Sequence, residues 1–168
     1  MKSTTQKTVM TALLAALVCV ATMIIKIPSP LLKGYLNLGD SIVLLSGWIL
    51  PPVYGFLAAG IGSALADVLS GYAVYAPVTF VIKGLMALCA GYIYTKLLKK
   101  MKEPFSRIIS GVISEVIMVL GYYIFEGILY GFIASAINIP ANSIQGIVGI
   151  VIGLVMVRIF EKNKFIMK

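Results

Sequence analysis

The sequence predicts an all-α integral membrane protein: one domain over residues 1–168, built as a bundle of six transmembrane helices with both termini cytoplasmic. Three observations predict it. Hydrophobic residues make up 60% of the chain and charged residues 12%, whereas a soluble domain is roughly half apolar and a quarter charged. Uncharged runs at 8–25 and 41–66 reach the ~20 residues that cross a hydrocarbon core as helix. The basic residues are gathered in short clusters between such runs, the pattern that orients a membrane protein.

The first span, 8–25, follows Lys2 and Lys7. It lacks the small-residue placement of a cleavage site before Cys19 and reads as a retained span rather than a secretory signal. Residues 26–39, with Pro28, Pro30 and Gly34, form a loop, and Asp40 is placed to cap the helix that follows. The stretch 41–70 is interrupted by Pro51-Pro52, which removes two helix donors and disfavours helix at the residue before. It is either one kinked span or two.

Charge decides between them. Lys96, Lys99, Lys100, Lys102 and Arg107 form one basic cluster, Lys2 and Lys7 a second, and Arg158, Lys162, Lys164 and Lys168 a third. If all three are cytoplasmic, an even number of crossings separates each pair. Four spans then precede Lys96, and two more, 107–132 and 139–159, follow the fourth at 77–98. The second span keeps only about 12 residues, roughly 18 Å of helix, too short to cross unaided. A short span under a long outer loop leaves a hollow facing outside.

Several function classes drop out. The net charge of +8 sits in topogenic clusters rather than on a nucleic-acid-binding face. Cys19 and Cys89 lie in apolar runs and read as packing residues, and the chain has no histidine. There is no G-x-x-x-x-G-K-[ST] phosphate loop, and Gly60-Ile61-Gly62 lies within a span. Ser41, Ser46, Ser63 and Ser70 have no recognisable base. Catalysis is not expected, nor any cofactor on this chain.

Polar residues at membrane depth are costly and mark functional sites. Here they gather toward the outer side: Asp40 opening the second span, Asp67 near the end of the third, Lys83 two turns into the fourth, Glu126 late in the fifth, Asn142 and Gln145 early in the sixth. Tyr122 and Glu126, four apart, share a helix face, as do Asn142 and Gln145, three apart. With Tyr35, Asn37, Tyr72 and Tyr75 they would form an aromatic-walled pocket for a small flat ligand. The plainer alternatives are an interfacial belt for the tyrosines, mutual neutralisation of Asp67 and Lys83, and a helix cap for Asn138. Glu115 could line the floor or face a partner helix. Ala12 and Ala16 make a small-residue stripe that on spacing alone fits packing within the bundle, as do Gly149 and Gly153.

The run Tyr35-Leu36-Asn37-Leu38-Gly39-Asp40, the stretch from Pro52 through Ala66-Asp67-Val68-Leu69-Ser70-Gly71-Tyr72, the following Tyr75-Ala76-Pro77-Val78-Thr79-Phe80, and Asn142 to Gln145 resemble the S components of energy-coupling factor (ECF) vitamin importers. The resemblance covers nearly the whole chain and is strongest to the hydroxymethylpyrimidine or pyridoxine type, with related members labelled for riboflavin. It implies a six-helix substrate-binding subunit of the bacterial cell membrane. The implied partners are a transmembrane coupling protein, contacted through Ala12 and Ala16, and two cytosolic ATPases that use the ATP. Asp40, Asp67 and Glu126 with a tyrosine wall suit a small heteroaromatic with a weakly basic nitrogen. A different class of answer is a dimeric secondary transporter with Asp67, Lys83 and Glu126 as an ion relay, which internal repeats would favour. A purely structural membrane protein would not need polar residues from several spans on one side.

Overall fold

A computed structural model describes residues 3–28 and 35–162. Lys2, Pro30, Gly34, Lys164 and Lys168 of the sequence analysis lie outside the described residues. Helix α1 (Thr4–Ile24) opens on a capping box in which Ser3 and Gln6 satisfy each other's backbone N–H groups. The chain then forms a short antiparallel ribbon of β1 (Lys26–Pro28) and β2 (Tyr35–Asn37), where only a loop is expected from sequence. The remaining helices are α2 (Gly39–Ile49), α3 (Pro52–Leu69), α4 (Ala76–Leu97), α5 (Glu103–Tyr130), the one-turn α6 (Phe132–Ala136) and α7 (Ile139–Lys162).

Helix α2 is the centre of the bundle. Every residue from Gly39 to Trp48 is buried, as expected of a helix that is apolar all round. Its 11 residues amount to about 16 Å, close to the short second span expected, and α3 restarts after the proline doublet. Close approach is achieved through glycine: a Cβ on Gly47 would lie 2.3 Å from the Ala87 carbonyl oxygen of α4, and one on Gly91 2.4 Å from the Gly47 oxygen. Trp48 Nε1 donates to Ser110 Oγ at 3.0 Å, fastening α2 to α5.

Helix α3 ends in a Schellman turn. Gly71 takes a positive φ of 83°, Tyr72 N donates to the Asp67 oxygen at 2.8 Å and Gly71 N to the Val68 oxygen at 3.2 Å. The connection that results is tight, and it holds Asp67, Tyr72 and Tyr75 at one end of the bundle. Gly131, with φ of 93°, separates α5 from α6, its N–H still donating to the Gly127 oxygen at 3.0 Å.

The helices alternate in direction. At one end Lys26 Nζ donates to Ser70 Oγ, and Asn37 N donates to Gln145 Oε1 at 2.9 Å, so the end of α1, the ribbon, the end of α3 and the start of α7 lie together. At the other end Arg107 of α5 meets Glu161 of α7 and, through Nη2, Tyr94 Oη of α4 at 3.1 Å. Arg107 also pairs with Glu103 at 2.6 Å. Arg107, the last residue of the basic cluster read from sequence, is buried, and the carboxylates of Glu103 and Glu161 balance its charge there.

Large apolar side chains cover the outside of the bundle, including Val112, Val116, Leu120 and Ile124 along α5 and Ile147, Val151 and Val155 along α7. An apolar coat of this extent belongs against lipid. Among the described residues five helical segments are long and apolar enough to cross a membrane, with α2 the shorter apolar helix between them.

Candidate functional site

Asp40 does not cap α2. It lies in the first turn, behind a Leu38 N-cap with no side-chain cap bond, and its fully buried carboxylate is used sideways. Lys83 Nζ of α4 pairs with Oδ1, and Gln145 Nε2 of α7 donates to Oδ2 at 2.6 Å. The Gln145 oxygen accepts the Asn37 amide, and Asn37 Oδ1 accepts from Gly39 N at 2.8 Å. Three helices and the ribbon are thus tied by one chain of hydrogen bonds. Lys83 meets Asp40 and not Asp67, since α2 is the helix packed beside that face of α4; Asp67, buried at the end of α3, has contacts of its own.

A second cluster lies nearer the end of the bundle. Tyr75, just before α4, donates its hydroxyl to Glu126 Oε1 at 3.4 Å. Asn138 Nδ2 donates to Glu126 Oε2 at 2.9 Å. The Asn138 side chain, standing just before α7 where a cap is expected, donates to Glu126, which has to be matched because it is buried. Tyr72 and Phe125 pack edge-on against Tyr75, with centroids 6.3 and 5.3 Å away.

Tyr122 links the two clusters. Its ring lies 5.4 Å from Lys83 Nζ, and its hydroxyl is 3.1 Å from Thr79 Oγ1. Tyr122 and Glu126 thus share the face of α5 turned to α4, as their spacing predicts. Thr79 was missed by sequence, although it lies one turn before Lys83 on the same face. Asn142 is half-buried one turn before Gln145 and makes no side-chain hydrogen bond among the described residues.

Depth separates the layers. Lys83 is seven residues into α4 and Gln145 six into α7, about 10 Å below the helix ends, and Glu126 is eleven residues, about 16 Å, beyond Glu115 on α5. Helix α2 begins only at the level of Lys83 and Gln145, so the layer above Asp40 is one helix short, and β2 meets α7 there through the Asn37–Gln145 hydrogen bond. Glu115 is buried against α7 and faces no outside helix. Gly149 and Gly153 pack internally, on Asp40 and on Ser41 and Trp48. Ala12 and Ala16, by contrast, are exposed, since α1 buries the stripe Thr11, Leu14, Ala15, Val18 and Thr22.

A family model described as "ECF-type riboflavin transporter, S component" matches residues 2–162. The chain belongs to the S components of ECF-type transporters. A solved structure described as "Structure and mechanism of the S component of a bacterial ECF transporter" is similar with a TM-score of 0.76 and 26% identity, over 95% of this chain and 98% of the other. A Pyrococcus woesei protein, described as an uncharacterized protein in the gap 3′ region, is 38% identical over 137 residues, 81% of this chain and 88% of its own. This S component is accordingly a multi-pass membrane protein and the substrate-binding subunit of a transporter, working with an ECF module. The expectation of a hydroxymethylpyrimidine or pyridoxine type finds no support in these likenesses; the matching family is the riboflavin type.

Proposed function

We propose that this S component captures riboflavin from outside the cell and delivers it through an ECF module made of a transmembrane coupling protein and two cytosolic ATPases. The observation that carries the reading is the convergence of Asp40, Lys83, Tyr75, Tyr122, Glu126 and Gln145 from four helices at one end of the bundle, in a chain whose family model is riboflavin-type. The layer above Asp40 that α2 leaves open is where the flat ligand sits. Tyr72, Tyr75 and Tyr122 supply aromatic faces, and Asn37, Asp67, Glu126, Asn142 and Gln145 supply polar groups around it. A hydroxymethylpyrimidine or pyridoxine ligand is the second reading, favoured by the carboxylates Asp40, Asp67 and Glu126 near one end, which suit a weakly basic ring nitrogen. The chain itself needs no cofactor; ATP is consumed by the partners. Both termini and the basic connection between α4 and α5 lie on the cytoplasmic side of the cell membrane.

Calorimetric titration of the purified chain with riboflavin, hydroxymethylpyrimidine and pyridoxine tests this. Riboflavin should bind tightest. Glu126→Gln and Asn142→Ala should weaken it, by about 1.5–3 kcal/mol, or roughly 10- to 150-fold, for a charged hydrogen bond and about 0.5–1.5 kcal/mol for a neutral one. Unchanged affinity in both variants would move the pocket elsewhere, and preference for a pyrimidine or pyridine would replace the flavin.

A further inference from the structure

Glu115 stands midway along α5 with 5% of its surface exposed. Among the described residues neither of its carboxyl oxygens has a hydrogen-bond partner, which sets it apart from Asp40 and Glu126, each held by two side chains. Helix α7 is glycine where it passes this side chain: a Cβ on Gly146 would lie 3.0 Å from Glu115 Oε2. One on Gly149 would lie 3.2 Å from Oε1 and 2.9 Å from Asp40 Cβ. The carboxyl is therefore wedged between α5, α7 and the first turn of α2, beside Asp40.

The charged groups facing it are Asp40 from α2 and, across Asp40, Lys83 from α4; α7 presents the neutral Gln145 with the two glycines. One lysine is set against two carboxyl groups, and both Asp40 oxygens are already taken, by Lys83 and Gln145. An ionised Glu115 would leave an uncompensated negative charge at membrane depth with no donor to hold it. The missing element is a single positive charge of very small size. Among the described residues no three acidic or cysteine side chains group as metal ligands, and Glu115 and Asp40 are the two carboxyl groups here. We propose that Glu115 is a proton-binding site, its carboxyl carrying one proton while Asp40 stays ionised against Lys83. The bound proton makes the buried cluster neutral, which lets a polar floor rest at this depth beneath the ligand layer. It is taken from water when the chain folds into the membrane and returns to water only if the site is opened.

Infrared spectroscopy of the full chain in lipid nanodiscs at neutral pH tests the proposal without any ligand, so its outcome is separate from that of the substrate reading. The parent should show the C=O stretch of a protonated carboxyl, shifted by deuterium exchange or by carbon-13 glutamate. Glu126→Gln should keep that band and Glu115→Gln should lose it. If Glu115→Gln does not fold, the labelled Glu126→Gln protein decides, because Glu103 and Glu161 are both held by Arg107. A parent without the band, or a band that survives Glu115→Gln, overturns the proposal. So does a band that emerges only when sodium is replaced by choline, which would make the bound cation sodium.

Discussion

Lys83 shows what burial does to a charge in this protein. Its ammonium and the Asp40 carboxylate are both almost fully buried, so each is tolerable only because the other is there. Removing one partner of a buried pair costs about 3–5 kcal/mol, mostly from the stranded charge that remains. Lys83→Met should therefore lower the thermal stability of the detergent-purified chain sharply, and Lys83→Met combined with Asp40→Asn should recover much of the loss. Equal unfolding temperatures for the single and the double variant would show that the pair is not coupled. That both residues matter was legible in the sequence, because charge inside an apolar run is costly wherever it falls. Which partner Lys83 takes was not. Asp40 and Asp67 are both acidic and both near the same end of the bundle, and only the packing of α2 against α4 brings one of them to the ammonium.

At the scale of the element, α1 bears on the proposed contact with the module. The side chains it buries, Thr11, Leu14, Ala15, Val18 and Thr22, face α2 and α3, with Gly62 of α3 so close that a Cβ there would lie 2.3 Å from the Ala15 oxygen. Ala12 and Ala16 point away from that contact and are exposed. A stripe of small residues on an outward helix face permits another helix to approach, which fits the coupling protein of the proposed module. Ala12→Trp and Ala16→Trp should leave folding and ligand affinity as they are while abolishing copurification of the coupling protein and ATPases. Unchanged copurification would exclude this face. Spacing alone favoured an internal role for the stripe, because periodicity states which residues share a face and not which way that face turns. For α2 the local signals went part of the way: the proline doublet marks its end and the charge clusters divide it from α3, but its place at the centre of the bundle, with Gly39 to Trp48 buried, is a result of tertiary packing.

The whole molecule has two unlike ends. One gathers Asp40, Asp67, Tyr75, Lys83, Glu126 and Gln145; the other carries the exposed Lys96, Lys99, Lys100 and Lys102 beside the Arg107 network. Basic connections stay cytoplasmic, so a single cysteine introduced as Lys100→Cys, with Cys19 and Cys89 replaced, should react with an impermeant thiol reagent only after lysis. Ala73→Cys should react in intact cells. The reverse pattern would invert the topology and turn the proposed ligand layer toward the cytoplasm. The sequence by itself determined that the chain lives in lipid, where its helices break, and that its polar residues gather toward one end. Those properties follow from residue-by-residue transfer between water and hydrocarbon and from the backbone chemistry of proline and glycine, both of which are local. Only the tertiary structure decided that Asp40 pairs with Lys83, that Asn138 serves Glu126, that Arg107 is buried, and that Glu115 is left beside Asp40 without a donor. Those outcomes depend on which helix faces lie against each other, and that is set by the close glycine contacts of α2 and α7, summed over the whole bundle.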